Sequence, residues 1–130
     1  MKSTLMYVEL KTGQSNRGPA WIGKAFFSKT GRTIYFNGLA FLKGERHGEG
    51  NYLERISGDS YWISGLKKDG KDRHWAGGGK IKIAKGVIPE YLKIVGLGKL
   101  PSGAFEEVEL NNNPPLKEFH SIENRKQSEL

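Results

Sequence analysis

Short apolar runs separated by glycine-containing turns fill most of this chain, and they limit what it can fold into. The runs are rich in aromatic and β-branched residues and end at Gly, Ser, Asn or Asp. In the run 5–10, Met6, Val8 and Leu10 fall on one face of a strand, because side chains alternate across a strand. Runs this short, with this alternation and these boundaries, indicate strands rather than helices.

Two of the turns predict hairpins directly. Lys29–Arg32 joins two aromatic and β-branched runs, and Ser57–Asp59 joins another two. Glycines inside runs, such as Gly23 and Gly65, permit sharp bends. Six or seven short strands with tight turns predict a mainly β fold, a small bent antiparallel sheet or an SH3-like barrel. Eight segments are candidates for these strands: 5–10, 20–28, 33–38, 39–43, 51–56, 60–66, 73–77 and 80–84.

One segment, 88–96, has a helical pattern. Pro89 suits the first turn of a helix, Glu90 suits its positive end, and Gly96 suits its C-terminal cap. Two helical turns do not persist alone in water, so we expect this helix to pack against the strands.

The length of 130 residues suits one domain with an extension. We expect a small β-barrel domain over residues 1–98. Residues 99–130 form an extension in which Phe105, Val108 and Leu110 provide a possible edge strand, followed by a flexible tail. The absence of cysteine excludes disulfides and thiolate sites, and the first residues resemble neither a signal peptide nor a membrane span. We therefore predict a cytoplasmic protein without membrane association.

The net charge of +7 is unevenly distributed along the chain. Residues 1–98 contain 17 Lys and Arg against 8 Asp and Glu, whereas residues 99–130 contain 4 against 6. A basic body favours an anionic partner, although a surplus of lysine also serves solubility.

Basic and aromatic residues lie close together between residues 61 and 82, which predicts a nucleic-acid-binding face. Lysine and arginine contact phosphates, while exposed aromatic rings stack on bases. The candidate residues are Tyr61, Trp62, Lys67, Lys68, Lys71, Arg73, His74, Trp75, Lys80 and Lys82. We therefore expect a non-enzymatic binding module for nucleic acid.

Two alternatives stay open. An SH3-like barrel also holds extended peptides in an aromatic-lined groove, and the C-terminal segment of the same chain is one candidate occupant. A small enzyme would use Asp72, Arg73 and His74, since Asp72 and His74 share a face of a predicted strand. The sequence leaves the oligomeric state open.

Familiar cofactor motifs are absent. Gly79-Lys80 is not part of a P-loop, because His74 stands where that motif needs glycine and Ile81 stands where it needs Ser or Thr. His47, His74 and His120 lie in three different segments without metal-ligand spacing. We expect no cofactor and no metal.

Four stretches of the chain have a recognisable combination of residues: "YVELKTG" (7–13), "GPAWIGKAFFSKTGRTIYFNG" (18–38), "GNYLERISGDSYWISGLKKDGKDRHWAGGGKI" (50–81) and "EYLKIVG" (90–96). With these stretches the chain resembles a family of short bacterial proteins, some of which carry the label 1-deoxy-D-xylulose-5-phosphate synthase. The resemblance implies a shared small β fold. It brings no catalytic residue, because the chain has no motif for the diphosphate–magnesium site of a thiamine-diphosphate enzyme.

Overall fold

Eight strands and one short helix are found in a computed structural model, which describes residues 2–11, 18–44, 50–72 and 79–114. The predicted strand 73–77 lies outside these residues. The elements are β1 (Ser3–Leu10), β2 (Ala20–Phe27), β3 (Thr33–Phe36), β4 (Leu39–Lys43), β5 (Tyr52–Glu54), β6 (Ser60–Gly65), β7 (Ile81–Ala84), α1 (Ile88–Val95) and β8 (Phe105–Val108).

Six antiparallel strands close into a barrel in the order β1-β6-β5-β4-β3-β2, and β1 pairs with β2 to complete the ring. Tight turns make this closure possible. Asn37 and Gly38 both adopt positive φ, 51° and 74°, as a two-residue turn between β3 and β4 requires. The small, mainly β, SH3-like barrel predicted from the sequence is therefore confirmed.

Most predicted strand boundaries agree with the structure within two residues, and β5 shows why one ends early. Its strand stops at Glu54 instead of Ile56, because the Glu54 carboxylate binds the next turn. Oε2 accepts a hydrogen bond from the Ile56 amide at 2.7 Å, and Oε1 accepts one from the Ser57 amide at 3.0 Å. Hydrogen bonds to the Glu54 side chain thus replace the backbone hydrogen bonds that would continue the strand.

Strands β7 and β8 extend the sheet beyond the barrel in parallel, which differs from the purely antiparallel arrangement expected. β7 pairs with the first half of β2, and β8 pairs with β7. Parallel neighbours need a crossover between them, and α1 provides that crossover from β7 to β8. The helix begins with Pro89 in its first turn and ends at Gly96, which has a φ of 71°.

Two apolar clusters lie on the two sides of β1 and β2. One cluster fills the barrel interior and includes Val8, Phe36 and Phe41. The other lies between the outer face of the sheet and α1, and includes Tyr7 and Tyr91. Both faces of β1 are therefore buried. Alternate side chains of this strand enter two different apolar clusters, instead of one cluster and the solvent.

The segment after residue 98 belongs to the same folded unit. Leu100, Phe105 and Leu110 pack against the buried clusters, and β8 forms the edge of the sheet. The predicted tail beyond residue 114 lies outside the described residues. Within the described part of the chain, no helix is long and apolar enough to cross a membrane.

Candidate binding surfaces

Seven of the ten residues of the predicted nucleic-acid face lie among the described residues. Arg73, His74 and Trp75 lie outside the described residues. The other seven fall into three places: a turn after β6, the start of β7, and the two faces of β6.

An exposed turn after β6 contains Lys67, Lys68 and Lys71. The Asp72 carboxylate accepts a hydrogen bond from the Lys67 amide at 2.8 Å, and the Asp69 carboxylate accepts one from the Lys71 amide at 2.9 Å. Two aspartates thus hold the backbone while the three ammonium groups extend into solvent. We call residues 67–72 the lysine turn.

The lysine turn lies against α1. A β-carbon built on Gly70 would be 3.7 Å from the hydroxyl oxygen of Tyr91, and Gly70 itself has a φ of 75°. Burial raises the pKa of Asp72 above its ordinary value, and the second oxygen of this carboxylate has no hydrogen-bond partner among the described residues. Burial, with the Asp72 charge as a smaller cause, also raises the pKa of Tyr91.

Lys80 and Lys82 lie at the start of β7. Lys82 is opposite Trp21 of β2 in the parallel register and opposite Glu106 of β8. Its ammonium nitrogen is 6.0 Å from the centre of the Trp21 ring, at the outer limit of a cation–π contact. Lys80 is exposed.

Tyr61 and Trp62 occupy opposite faces of β6. Trp62 is 38 % exposed on the outside of the barrel, opposite Glu9 in the register. Tyr61 is only 8 % exposed and contacts Phe41 edge-on in the interior, with ring centres 4.8 Å apart. Its ring is part of the core rather than a stacking surface, which corrects the prediction for this residue.

The register explains why these groups are separated. Trp62, Glu9, Ala20 and Ile81 form one row across four strands, and side chains in such a row share a face. Lys82 follows Ile81, so it projects from the opposite face. The lysine turn begins beyond Gly65, which is about 10 Å from Trp62 along β6 at the usual strand rise.

A site that the sequence interpretation missed lies at the end of the barrel where β3 meets β4. A cavity of about 70 Å³ there is lined by aromatic and aliphatic side chains and one amide. We call it the mouth, and the residues that line it include Trp21, Phe36, Asn37, Leu39, Phe41 and Tyr61. The rings of Trp21 and Tyr61 are tilted to each other, with centres 6.5 Å apart.

The chain itself docks beside the mouth. The Asn111 amide donates a hydrogen bond to the Asn37 side-chain oxygen at 2.9 Å. The preceding residue, Leu110, packs against both apolar clusters. We call Leu110–Asn113 the docked segment. In the sequence, this site could have been indicated only by Asn37. Asparagine in a turn commonly forms hydrogen bonds between its side chain and a backbone group.

Among the described residues, no group of three His, Asp or Glu side chains is arranged to hold a metal ion. His47, His74 and His120 all lie outside the described ranges, as do Glu45 and Glu49.

Comparison with protein-family models, with curated proteins and with solved structures gave no significant match. The resemblance to short bacterial proteins therefore stays a prediction.

Proposed function

We propose that the protein is a non-enzymatic binding module that holds an extended polypeptide segment at the mouth of its barrel. The hydrogen bond from the Asn111 amide to Asn37 carries this proposal. A backbone amide bonded to a fixed acceptor, beside an apolar side chain that packs in, is the combination by which extended peptides are recognised. The docked segment displays both parts within the chain itself.

The docked segment lies beside the mouth, and none of its residues is among the described residues that line the cavity. The aromatic lining of the mouth surrounds about 70 Å³, roughly the share of the liquid that two water molecules occupy. Burial, with the charges of Asp59 and Glu54 as smaller causes, raises the pKa of Tyr61, which is one of the lining residues. We expect the partner to present the chemistry of the docked segment, an aliphatic residue followed by an amide, and to displace that segment.

The test uses a labelled peptide with the sequence of residues 108–114, VELNNNP, added to the full chain carrying Leu110→Ala. This substitution weakens the packing of the docked segment against the barrel. The added peptide should therefore take its place and bind saturably in fluorescence anisotropy. Adding Asn37→Gly to that chain removes the acceptor but tolerates the positive φ of the turn, and should weaken binding about tenfold.

The matched control is Asn37→Asp, which keeps both the acceptor and the turn and should preserve binding. Equal binding by the Asn37→Gly and Asn37→Asp variants would contradict the proposal, as would the absence of saturable binding. Because the contacts are apolar or uncharged, affinity should change little with salt.

Nucleic-acid binding is the second candidate, and a specific observation favours it. The lysine turn presents three exposed ammonium groups on a hydrogen-bonded scaffold, and Trp62 is an exposed aromatic on the preceding strand. Its signature is oligonucleotide binding that weakens steeply with salt.

A further inference from the structure

An open groove lies at the other end of the barrel from the mouth. It has a volume of about 690 Å³ and lies between the start of β1 and the turn from β2 to β3. Its volume falls within the range of about 300 to 1,000 Å³ that is usual for small-molecule sites. The lining includes Lys2, Thr4, Phe27, Lys29, Thr30 and Gly31.

The turn that forms one wall is held firmly. Gly31 has a φ of 73°, and its amide donates a hydrogen bond to the Ser28 carbonyl at 3.0 Å. Ser28 is only 4 % exposed, and its hydroxyl accepts a hydrogen bond from the Thr33 amide at 3.2 Å. The lysine and threonine at the tip of this turn are therefore presented on a fixed backbone.

The opposite wall, at the start of β1, is hydrogen-bonded to the end of β2. The Phe27 amide donates a hydrogen bond to the Lys2 carbonyl at 3.0 Å, so the two lysine-bearing segments are fixed relative to each other. Phe27 is half-buried and packs against the interior cluster, which gives the groove an apolar floor.

The charges around the groove have one sign. Lys2 and Lys29 are exposed, and no carboxylate is among its described lining residues. The ion pairs found in the described part of the chain join Lys11 to Glu9 and Lys85 to Glu109, so neither groove lysine is neutralised there. Two ammonium groups and the threonine hydroxyls thus surround an apolar floor.

We propose that this groove binds a phosphate monoester carried on an apolar group. The phosphate lies between Lys2 and Lys29, the Thr30 hydroxyl donates to it, and the apolar body covers Phe27. Paired ammonium groups favour a doubly charged head, while the apolar floor favours an ester over free phosphate. This site is independent of the mouth.

The experiment titrates the full chain with phenyl phosphate and follows binding by calorimetry and by backbone amide shifts. We expect saturable binding with shifts at residues 2–4 and 27–31. Lys2→Gln and Lys29→Gln should each weaken binding about tenfold, since each removes one charge-assisted hydrogen bond. Inorganic phosphate should bind about tenfold more weakly than phenyl phosphate, because it leaves Phe27 uncovered.

Lys24→Gln is the matched control. Lys24 is exposed on β2, but its ammonium lies 5.4 Å from the Phe26 ring, outside the groove lining. Its substitution makes the same change in net charge and should leave binding unchanged. Equal losses in all three lysine variants, or equal affinity for inorganic and phenyl phosphate, would overturn the proposal.

A second arm identifies the source of the phosphate monoester. Vesicles of phosphatidylcholine with phosphatidic acid present the same head on a lipid, and sedimentation measures their capture. Vesicle capture that is lost in Lys2→Gln and Lys29→Gln supports the site with a lipid ligand, whereas phenyl phosphate binding alone supports a free ligand. Binding of neither probe would overturn the proposal.

Discussion

Gly23 shows at the scale of single residues how the barrel interior is filled. It lies in β2 and is itself buried. A β-carbon at this position would be 2.9 Å from an edge atom of the Phe36 ring and 3.0 Å from a methyl group of Leu110. The glycine therefore makes room for an aromatic ring and for the docked segment, rather than only allowing a bend as the sequence indicated.

We predict that Gly23→Ala lowers the free energy of unfolding by about 1 to 3 kcal/mol, the usual cost of overpacking. Gly65→Ala is the matched control, because nothing lies within 4 Å of a β-carbon at that strand glycine. This substitution should leave the free energy of unfolding unchanged, or raise it by up to about 1 kcal/mol, because alanine lowers the conformational entropy of the unfolded chain. Urea unfolding of the two variants measures the difference, and equal shifts of their midpoints would contradict this account.

Tyr61 and Trp62 mark the limit of prediction from residue patterns. Alternation predicts that two neighbouring aromatics on a strand face opposite sides, and the structure agrees. Either ring suits a core, so the pattern does not reveal which face is interior. Pairing decides it: Tyr61 lies opposite Leu10 and Trp62 opposite Glu9, whose carboxylate is held by the Tyr7 hydroxyl and Lys11.

At the scale of elements, the crossover from β7 through α1 to β8 was only partly predictable. The alternating isoleucines of β7, the capping residues of α1 and the apolar residues of β8 indicate each element separately. Parallel pairing depends on the distant contact of Ile81 and Ile83 with Ala20 and Ile22, for which a strand pattern gives no signal. The crossover also places α1 where the lysine turn packs against it.

The ionisation of Asp72, in the lysine turn, makes the free energy of unfolding depend on pH. Burial raises its pKa above the ordinary value of 3.8, so the folded state binds this proton more tightly than the unfolded state. The free energy of unfolding therefore falls as the pH rises from 3.8 through the folded pKa, and stays lower above it. Asp72 thus stabilises the turn through its hydrogen bond to the Lys67 amide while its own charge opposes folding.

We predict that Asp72→Asn keeps that hydrogen bond and removes the charge. The variant should be slightly more stable than the original chain at about pH 7, and the difference should vanish below pH 3.8. Urea unfolding between about pH 3 and about pH 7 measures this difference. A difference that stays constant over the whole range would show that ionisation of Asp72 is not linked to folding.

At the scale of the whole molecule, β1 and β2 join the two apolar clusters into one unit. Each strand gives alternate side chains to the barrel interior and to the layer under α1. The mouth, the lysine turn and the open groove are separate surfaces of this folded unit. Exposed lysines lie at the lysine turn and in the lining of the open groove but not in the described lining of the mouth, so net charge alone does not select a partner.

The two candidate functions differ most clearly in their response to salt. If the lysine turn contacts phosphates, the affinity for labelled single-stranded and duplex oligonucleotides should fall steeply between about 50 and about 200 mM salt. Lys71→Glu with Arg73→Glu should then weaken binding and reduce the slope of log affinity against log salt by about two. Anisotropy titrations of both oligonucleotides measure these changes.

Lys24→Glu with Lys93→Glu gives the charge-matched control, because both lysines are exposed on other elements, β2 and α1. Loss of binding in the first pair alone would place the phosphate contacts at the lysine turn and its continuation. Equal losses in both pairs would show that only the net charge of the body attracts nucleic acid. Absence of binding at the lower salt concentration would contradict the nucleic-acid hypothesis, and peptide recognition at the mouth would then be the function to pursue.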